Sequence, residues 1–247
     1  MGESGKFELE EQVEKYISRY IRSENGTLLV EQTSEFAWID CYSVFGDYVG
    51  KNLNSDEIDR LALKLFTYLA NWSMYSRGTF LMDYNYRTHY DAVRILVDFE
   101  YADLYGRRYF SSVGNGRGLS SDYEEYISAV MELKRELEVA YAKYKRNNDT
   151  VSEILISKVM LGALGCVPAY DTCLNYALTK LQIAPKTFSG NSLKAVLKYC
   201  EDDGKQIESC RSTLINETGI EYPDMKIIDM ALWMYGRKDD SSKTDVM

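Results

Sequence analysis

The chain has 247 residues, of which 45% are hydrophobic and 27% are charged, as is ordinary for a soluble globular protein. Its net charge of −9 argues against a general polyanion-binding protein, because non-specific affinity for nucleic acid comes from clustered Lys and Arg. No window approaches the roughly 18 apolar residues of a membrane-spanning helix, and the N-terminus lacks the apolar core of a signal peptide. We therefore expect a cytoplasmic protein without a membrane partner.

The first half of the chain is predicted to be helical. The chain has only 3 prolines, none of them in this half, and residues 8–23 space their apolar side chains as one face of a helix does. A second helix is predicted from Ser34 to about Gly46. A third begins at Ser55, interpreted as its N-cap, and runs to about Tyr75.

The middle of the chain is less regular. The run 79–90 reads as a short extended segment or an aromatic loop, after which Thr88 is interpreted as the cap of the next helix. Residues 106–121 are rich in Gly and Ser and predict a loop. Ser121, in a capping-box pattern, is expected to begin a long helix that ends near Arg146.

The stretch 157–181 is apolar and punctuated by glycine, with Pro168 near its middle. It predicts a central helix, a tight turn around Gly165, and a second helix that begins near Asp171. Shorter helices are expected after it: one capped by Ser189 or Asn191, one over about 204–216, and one after Pro223.

These patterns predict an all-α, multi-helix globular bundle, because no alternation typical of strands recurs along the chain. We expect a single domain over 1–247. Two helical lobes, 1–105 and 119–237, are a second possibility, separated by a flexible loop at 106–118. Residues 238–247 are expected to be a disordered tail.

No motif for phosphate, dinucleotide, zinc or a nucleophilic serine is present, so no cofactor or metal is expected. The five cysteines at positions 41, 166, 173, 200 and 210 include no CxxC pair. Their spacing defines no disulfide framework and predicts reduced thiols.

Asp171 is the first candidate for a functional residue. It stands just after the Gly/Pro turn and can be an N-cap of the following helix. It can equally be a catalytic or ligand-binding carboxylate in a semi-apolar pocket, with its pKa changed by the surroundings. Tyr170 beside it and Lys158 upstream are candidate ligand-binding partners, although Lys158 can also be a surface lysine.

Two further candidates lie in the aromatic region around residue 80. His89, the only histidine, is surrounded by acids and tyrosines and can act as a general base or as a hydrogen-bonded residue at a helix start. Arg77 follows Trp72 closely, and the two can clamp an anion against an aromatic ring. The alternative for Arg77 is a cation at a helix C-terminus.

Three stretches carry a resemblance. They are 69–81 (LANWSMYSRGTFL), 158–171 (KVMLGALGCVPAYD) and 222–230 (YPDMKIIDM). Together they resemble a family of uncharacterised bacterial proteins, and this resemblance implies no activity.

A second, remote resemblance joins Ser157-Lys158, the segment 168–171 and the late 228–233 (IDMALW). This pattern is similar to all-α proteins related to helix-hairpin-helix DNA glycosylases, in which an Asp near a helix start is catalytic. The resemblance implies that role for Asp171. The spacing of 162–165 leaves no room for the usual hairpin, and no lysine matches the catalytic one of the bifunctional enzymes.

The sequence therefore leads to three hypotheses. The first is a protein that binds a nucleotide or a nucleic-acid end in an aromatic pocket between helices. The second is a non-enzymatic helical module that binds a protein partner, and the third is a glycosylase-like base-excision enzyme. A buried polar cluster joining 72–90 to 158–171 would favour the first hypothesis, and an exposed apolar patch the second.

Overall fold

Helices make up 71% of the structure, and no strand occurs in the part of the chain that it describes, which confirms the predicted all-α class. The computed structural model describes residues 7–22, 33–76, 78–110, 119–145 and 151–237. The α-helices are α1 (Leu9–Tyr20), α2 (Ser34–Gly46), α3 (Ser55–Asn71), α4 (Tyr90–Leu96), α5 (Leu119–Ala142), α6 (Glu153–Leu164), α7 (Thr172–Lys180), α8 (Gly190–Tyr199), α9 (Gly204–Thr218) and α10 (Asp224–Gly236). Short 3-10 helices occupy Phe80–Asp83, Tyr86–His89, Phe99–Leu104 and Glu201–Asp203.

The two central helices are α6 and α10. Every residue of α6 from Leu155 to Leu164 is buried, and so is every residue of α10 from Asp224 to Leu232. Helix α6 packs against α2, α3 and α5, whereas α10 packs against α1, α7 and α9. Both helices are largely apolar around their whole circumference, a pattern typical of buried rather than amphipathic helices. None of the described helices is long and apolar enough to cross a membrane.

The connection from α6 to α7 follows the prediction closely. Helix α6 ends at Leu164, and Gly165 adopts the left-handed conformation with φ of 64°. Glycine is favoured there because it has no Cβ to collide with the following carbonyl oxygen. Asp171 then caps α7 through its side chain.

Two predicted caps are wrong. Asn54, not Ser55, caps α3: its side chain accepts from the amides of Asp56 and Glu57 in a complete capping box. Asn85 likewise caps the 3-10 helix that precedes α4, and the Thr88 hydroxyl donates to Asn85 O instead. In both places two nearby residues are of a type that can cap a helix. The one whose side chain reaches the free amides is the cap.

Two predicted helix ends are also wrong. Helix α3 ends at Asn71 rather than near Tyr75, because Trp72 leaves the helical conformation and Ser73 has φ of 63°. Helix α5 already includes Leu119, so Ser121 lies within it, and it ends at Ala142. The centre of the predicted loop, 111–118, and the predicted tail, 238–247, lie outside the described residues.

Replacing Gly165 by alanine should destabilise the fold more than the same change at Gly219. Both glycines end a helix at positive φ, so each variant loses about 1 kcal/mol to the left-handed conformation. A Cβ at Gly165 would also lie 2.4 Å from Pro223 Cγ, whereas nothing lies within 4 Å of one at Gly219. Urea unfolding of both variants measures the difference, and equal losses would contradict the close packing of Gly165 on Pro223.

Candidate functional site

A cleft of about 1240 Å³ lies at the C-terminal end of α3, bordered by the Phe80–Asp83 turn, the first half of α6 and the start of α7. Among its described lining residues are three cationic side chains and two carboxylates. These are Lys145, Lys158, Arg237, Asp83 and Asp171, and the lining also includes Trp72, Cys173 and Trp233.

Lys158 connects two helix ends inside this cleft. Its Nζ donates a 2.9 Å hydrogen bond to Trp72 O, a carbonyl that the end of α3 leaves without a helical partner. The same ammonium lies 3.8 Å from Asp171 Oδ2. Lys158 is only 8% exposed, and burial lowers its pKa although the carboxylates of Asp171 and Asp229 act in the opposite direction.

Asp171 uses its two oxygens differently. Its Oδ1 accepts from Cys173 N at 3.0 Å and from Leu174 N at 3.1 Å, which is N-cap geometry for α7. Its Oδ2 takes part in the ion pair with Lys158. Oδ1 therefore acts as the helix cap, whereas Oδ2 lies at the cleft.

A second, narrower cavity shares Trp72, Lys158, Asp171 and Trp233 with the cleft and is also lined by Asp229. Asp229 is 5% exposed, and its Oδ1 accepts from the amide of Ala169 at 2.8 Å. Burial raises the pKa of Asp229 to about 7, with the nearby carboxylate of Asp171 adding to this effect. The Asp229 carboxyl therefore gains or loses its proton near neutral pH.

Lys226, which also lines this narrower cavity, forms a buried ion pair with Glu35. The distance from Lys226 Nζ to Glu35 Oε2 is 3.0 Å, and the Tyr16 hydroxyl donates to the same oxygen at 2.5 Å. The ammonium also lies 4.7 Å from the ring centroid of Trp38 and 5.4 Å from that of Trp72. Ring faces attract cations, so these contacts compensate part of the hydration that Lys226 loses.

Two tryptophans form an aromatic wall. The ring centroids of Trp72 and Trp233 are 6.0 Å apart and their planes meet at 82°, an edge-to-face arrangement. Trp72 Nε1 donates to Ser34 O at 3.1 Å, and the guanidinium of Arg237 lies 5.3 Å from the Trp233 ring centroid. Both rings are therefore held in place while lining the cleft.

The structure brings together three of the residues that the sequence predicts, Trp72, Lys158 and Asp171. Tyr170 is adjacent in the chain, but its ring stacks on Phe188 and its hydroxyl bonds Ser192 Oγ, so it does not line the cleft. The contacts of the Tyr170 side chain therefore lie in the core and not in the cleft.

His89 also lies away from the cleft. Its ring nitrogens each lie 2.7 Å from a tyrosine hydroxyl, Nε2 from Tyr75 and Nδ1 from Tyr141, and the residue is fully buried. Burial lowers the pKa of His89 to about 3, so the ring is neutral. We therefore leave His89 out of the candidate site. Arg77, the remaining predicted residue, lies outside the described residues.

Sequence reasoning missed Glu35, Lys226 and Asp229. The signal for the last two is their place in α10, a helix whose other residues are nearly all apolar. A charge on a helix that is buried on all sides needs a partner or a proton, and such groups are unusual enough to mark a site.

The five cysteines are all free, and Cys173 is the one that is not fully buried. It lines the cleft next to Asp171. No group of three or more His, Cys, Asp or Glu side chains suited to a metal ion occurs within the described ranges.

Comparison with known proteins identified no relative: no family model matches this chain, nor does any curated protein or solved structure.

Asp229→Asn should flatten the dependence of stability on pH. The folded state holds the Asp229 proton up to about pH 7, whereas the unfolded chain releases it near pH 4, so the free energy of unfolding falls as pH rises between these values. The amide keeps an oxygen for Ala169 N–H and carries no proton to lose. Relative to wild type, the variant should gain up to about 4 kcal/mol across this window and no more above it.

Urea unfolding at several pH values from 4 to 8 measures this gain. Asp171→Asn provides a second check, because the Asp171 carboxylate raises the folded-state pKa of Asp229 and its loss should lower the upper end of the window. Parallel profiles for wild type and Asp229→Asn would show that Asp229 does not titrate in this range.

Replacing Asp171 by Asn should change stability little, whereas Ala should cost about 1 kcal/mol, because Asn is about as good an N-cap as Asp and Ala has no acceptor. Thermal melting of both variants measures this. Ser189→Ala is a matched control, since Ser189 caps α8 through its own side chain away from the cleft. A loss for Asp171→Asn as large as that for Ala would mean that the ion pair with Lys158, rather than the cap, dominates.

Proposed function

We propose that the cleft binds a small organic anion with a flat aromatic part, and that a nucleotide or the end of a nucleic-acid strand is the class that fits best. The observation that carries this proposal is the largely buried Lys158, in a cavity that Trp72 and Trp233 also line. Aromatic walls with a few fixed polar groups are typical of ligand sites.

The size and charge of the cleft support the same ligand class. Its volume of about 1240 Å³ is sufficient for a nucleotide or a short oligonucleotide end. Three cations face two carboxylates among its described lining residues, although the whole chain carries a net charge of −9. A local positive excess on an acidic protein favours a small anion over a long polyanion, which the rest of the surface would repel.

The arrangement supports binding in a pocket more than binding of a protein partner. A polar cluster joins Trp72 to Lys158 and Asp171 across three helices. The large apolar side chains that are exposed belong to many different elements of the fold rather than to one helix face. They are Phe36, Leu63, Met82, Tyr84, Phe99, Val139, Tyr176, Tyr199 and Ile215.

Protection of Cys173 from alkylation tests the proposal directly. The dinucleotide adenylyl-(3′,5′)-adenosine should slow the reaction of Cys173 with N-ethylmaleimide, because this thiol lines the cleft. Lys158→Met should raise the dinucleotide concentration needed by about tenfold, since a charge-assisted hydrogen bond is lost. Peptide mass spectrometry measures the labelling, and the four buried cysteines report on whether each variant stays folded.

Lys180→Met is the matched control, because Lys180 is exposed on α7 and does not line the cleft. Equal protection in both variants would remove Lys158 from the site. No protection by the dinucleotide, by single-stranded oligonucleotides or by abasic DNA would refute the proposed ligand class. The glycosylase-like hypothesis stays a prediction, and release of a base from DNA is the measurement that tests it.

A further inference from the structure

The inner end of the candidate site, around the narrower cavity, holds three carboxylates and two lysines. Lys226 pairs with Glu35 at 3.0 Å, and Lys158 pairs with Asp171 at 3.8 Å. Asp229 is the third carboxylate, and its oxygen Oδ1 accepts from a neutral backbone amide. Because an unpaired buried charge is costly, this group is the one that the surroundings hold in its protonated form.

Charged and titratable groups on α1, α2, α3, α6 and α10 and at the start of α7 interact with Asp229. Lys226 lowers its pKa, whereas Asp171 and Glu35 raise it. Four more groups interact with the Asp229 charge: the phenols of Tyr16 on α1 and Tyr68 on α3, the amine of Lys158 on α6, and the thiol of Cys173 on α7. Burial raises the pKa of both phenols and of the thiol, so these groups stay protonated at neutral pH.

The chain's one histidine does not compete for protons in this range. Burial lowers the pKa of His89 to about 3, and the residue lies away from the cleft. The pKa of Asp229, at about 7, lies within the range from pH 6 to pH 8.

We propose that Asp229 couples anion binding in the cleft to the uptake of one proton. The inference rests on the proposed function, since it concerns the anion that the cleft accepts. An anion beside Trp72 and Lys158 is repelled by the Asp229 carboxylate and not by the carboxylic acid. Binding therefore favours the protonated form, and by linkage protonation favours binding.

The coupling fixes the direction of the pH effect. Below neutral pH Asp229 carries a proton, and the two ion pairs leave the inner end of the site without net charge. Above neutral pH, this inner end carries one negative charge. The affinity for an anion should therefore fall by about tenfold between pH 6 and pH 8, a size expected for charges close together in a partly buried site.

Calorimetric titration with adenylyl-(3′,5′)-adenosine tests this, because its single phosphodiester keeps one charge over the whole range. We expect Kd to rise by about tenfold from pH 6 to pH 8, and we expect net proton uptake near pH 7 when buffers of different ionisation enthalpy are compared. Adenosine is the matched ligand control, because it has the same aromatic base and no anion. Its Kd should not change with pH.

Asp229→Asn supplies the matched protein control. Its Kd for the dinucleotide should be the same at pH 6 and at pH 8, because the amide has no proton to lose. A wild-type Kd that does not change with pH, or an unaltered pH dependence in Asp229→Asn, would overturn the inference and leave the proposed function standing. Absence of binding at pH 6 by the dinucleotide, by single-stranded oligonucleotides and by abasic DNA alike would instead overturn both. Circular dichroism of the variant at each pH checks that it is folded.

Discussion

The buried ion pair between Glu35 and Lys226 is the interaction on which the cleft depends. It joins α2 to α10, residues far apart in the chain, and the hydroxyl of Tyr16 adds α1 to the same carboxylate oxygen. Removing one partner of such a pair leaves an unpaired buried charge, at a cost of about 3–5 kcal/mol. The ammonium also lies over Trp72, so the pair fixes a residue that lines the cleft.

Helix ends allow the next two charges to lie close to the core. Lys158 binds a carbonyl at the C-terminal end of α3, and Asp171 accepts amides at the N-terminal end of α7. Each charge is thus placed at the helix end whose dipole favours it. The ion pair that they form is a consequence of where α3 stops and α7 starts. Ser73 has positive φ just after the end of α3, and Asp171 itself caps the start of α7.

The features that could be predicted from the sequence are those that depend on neighbours in the chain. Helical spacing indicated the all-α class, and the Gly165 turn and the Asp171 cap follow from residue types over a few positions. Which of two adjacent cap residues is used, as with Asn54 and Ser55, depends on side-chain reach that composition does not express. The same division holds for the site, since the local sequence around Trp72, Lys158 and Asp171 is what predicts them as site residues. The partnership of Glu35 with Lys226 spans 191 positions, and only the packing of α2 on the core reveals it.

The stability of the fold does not explain why residue 229 is an aspartate. An asparagine could accept the same hydrogen bond from Ala169 N–H without any charge to bury. The carboxyl instead costs folding free energy at neutral pH, because the surroundings resist its ionisation. Glu35 and Asp171 differ from it, since each has a lysine within ion-pair distance. Residues that break a local rule and lower stability are concentrated at functional sites. A carboxyl that gains or loses its proton near neutral pH, in a cavity shared with two tryptophans and two lysines, fits that description better than a role in folding.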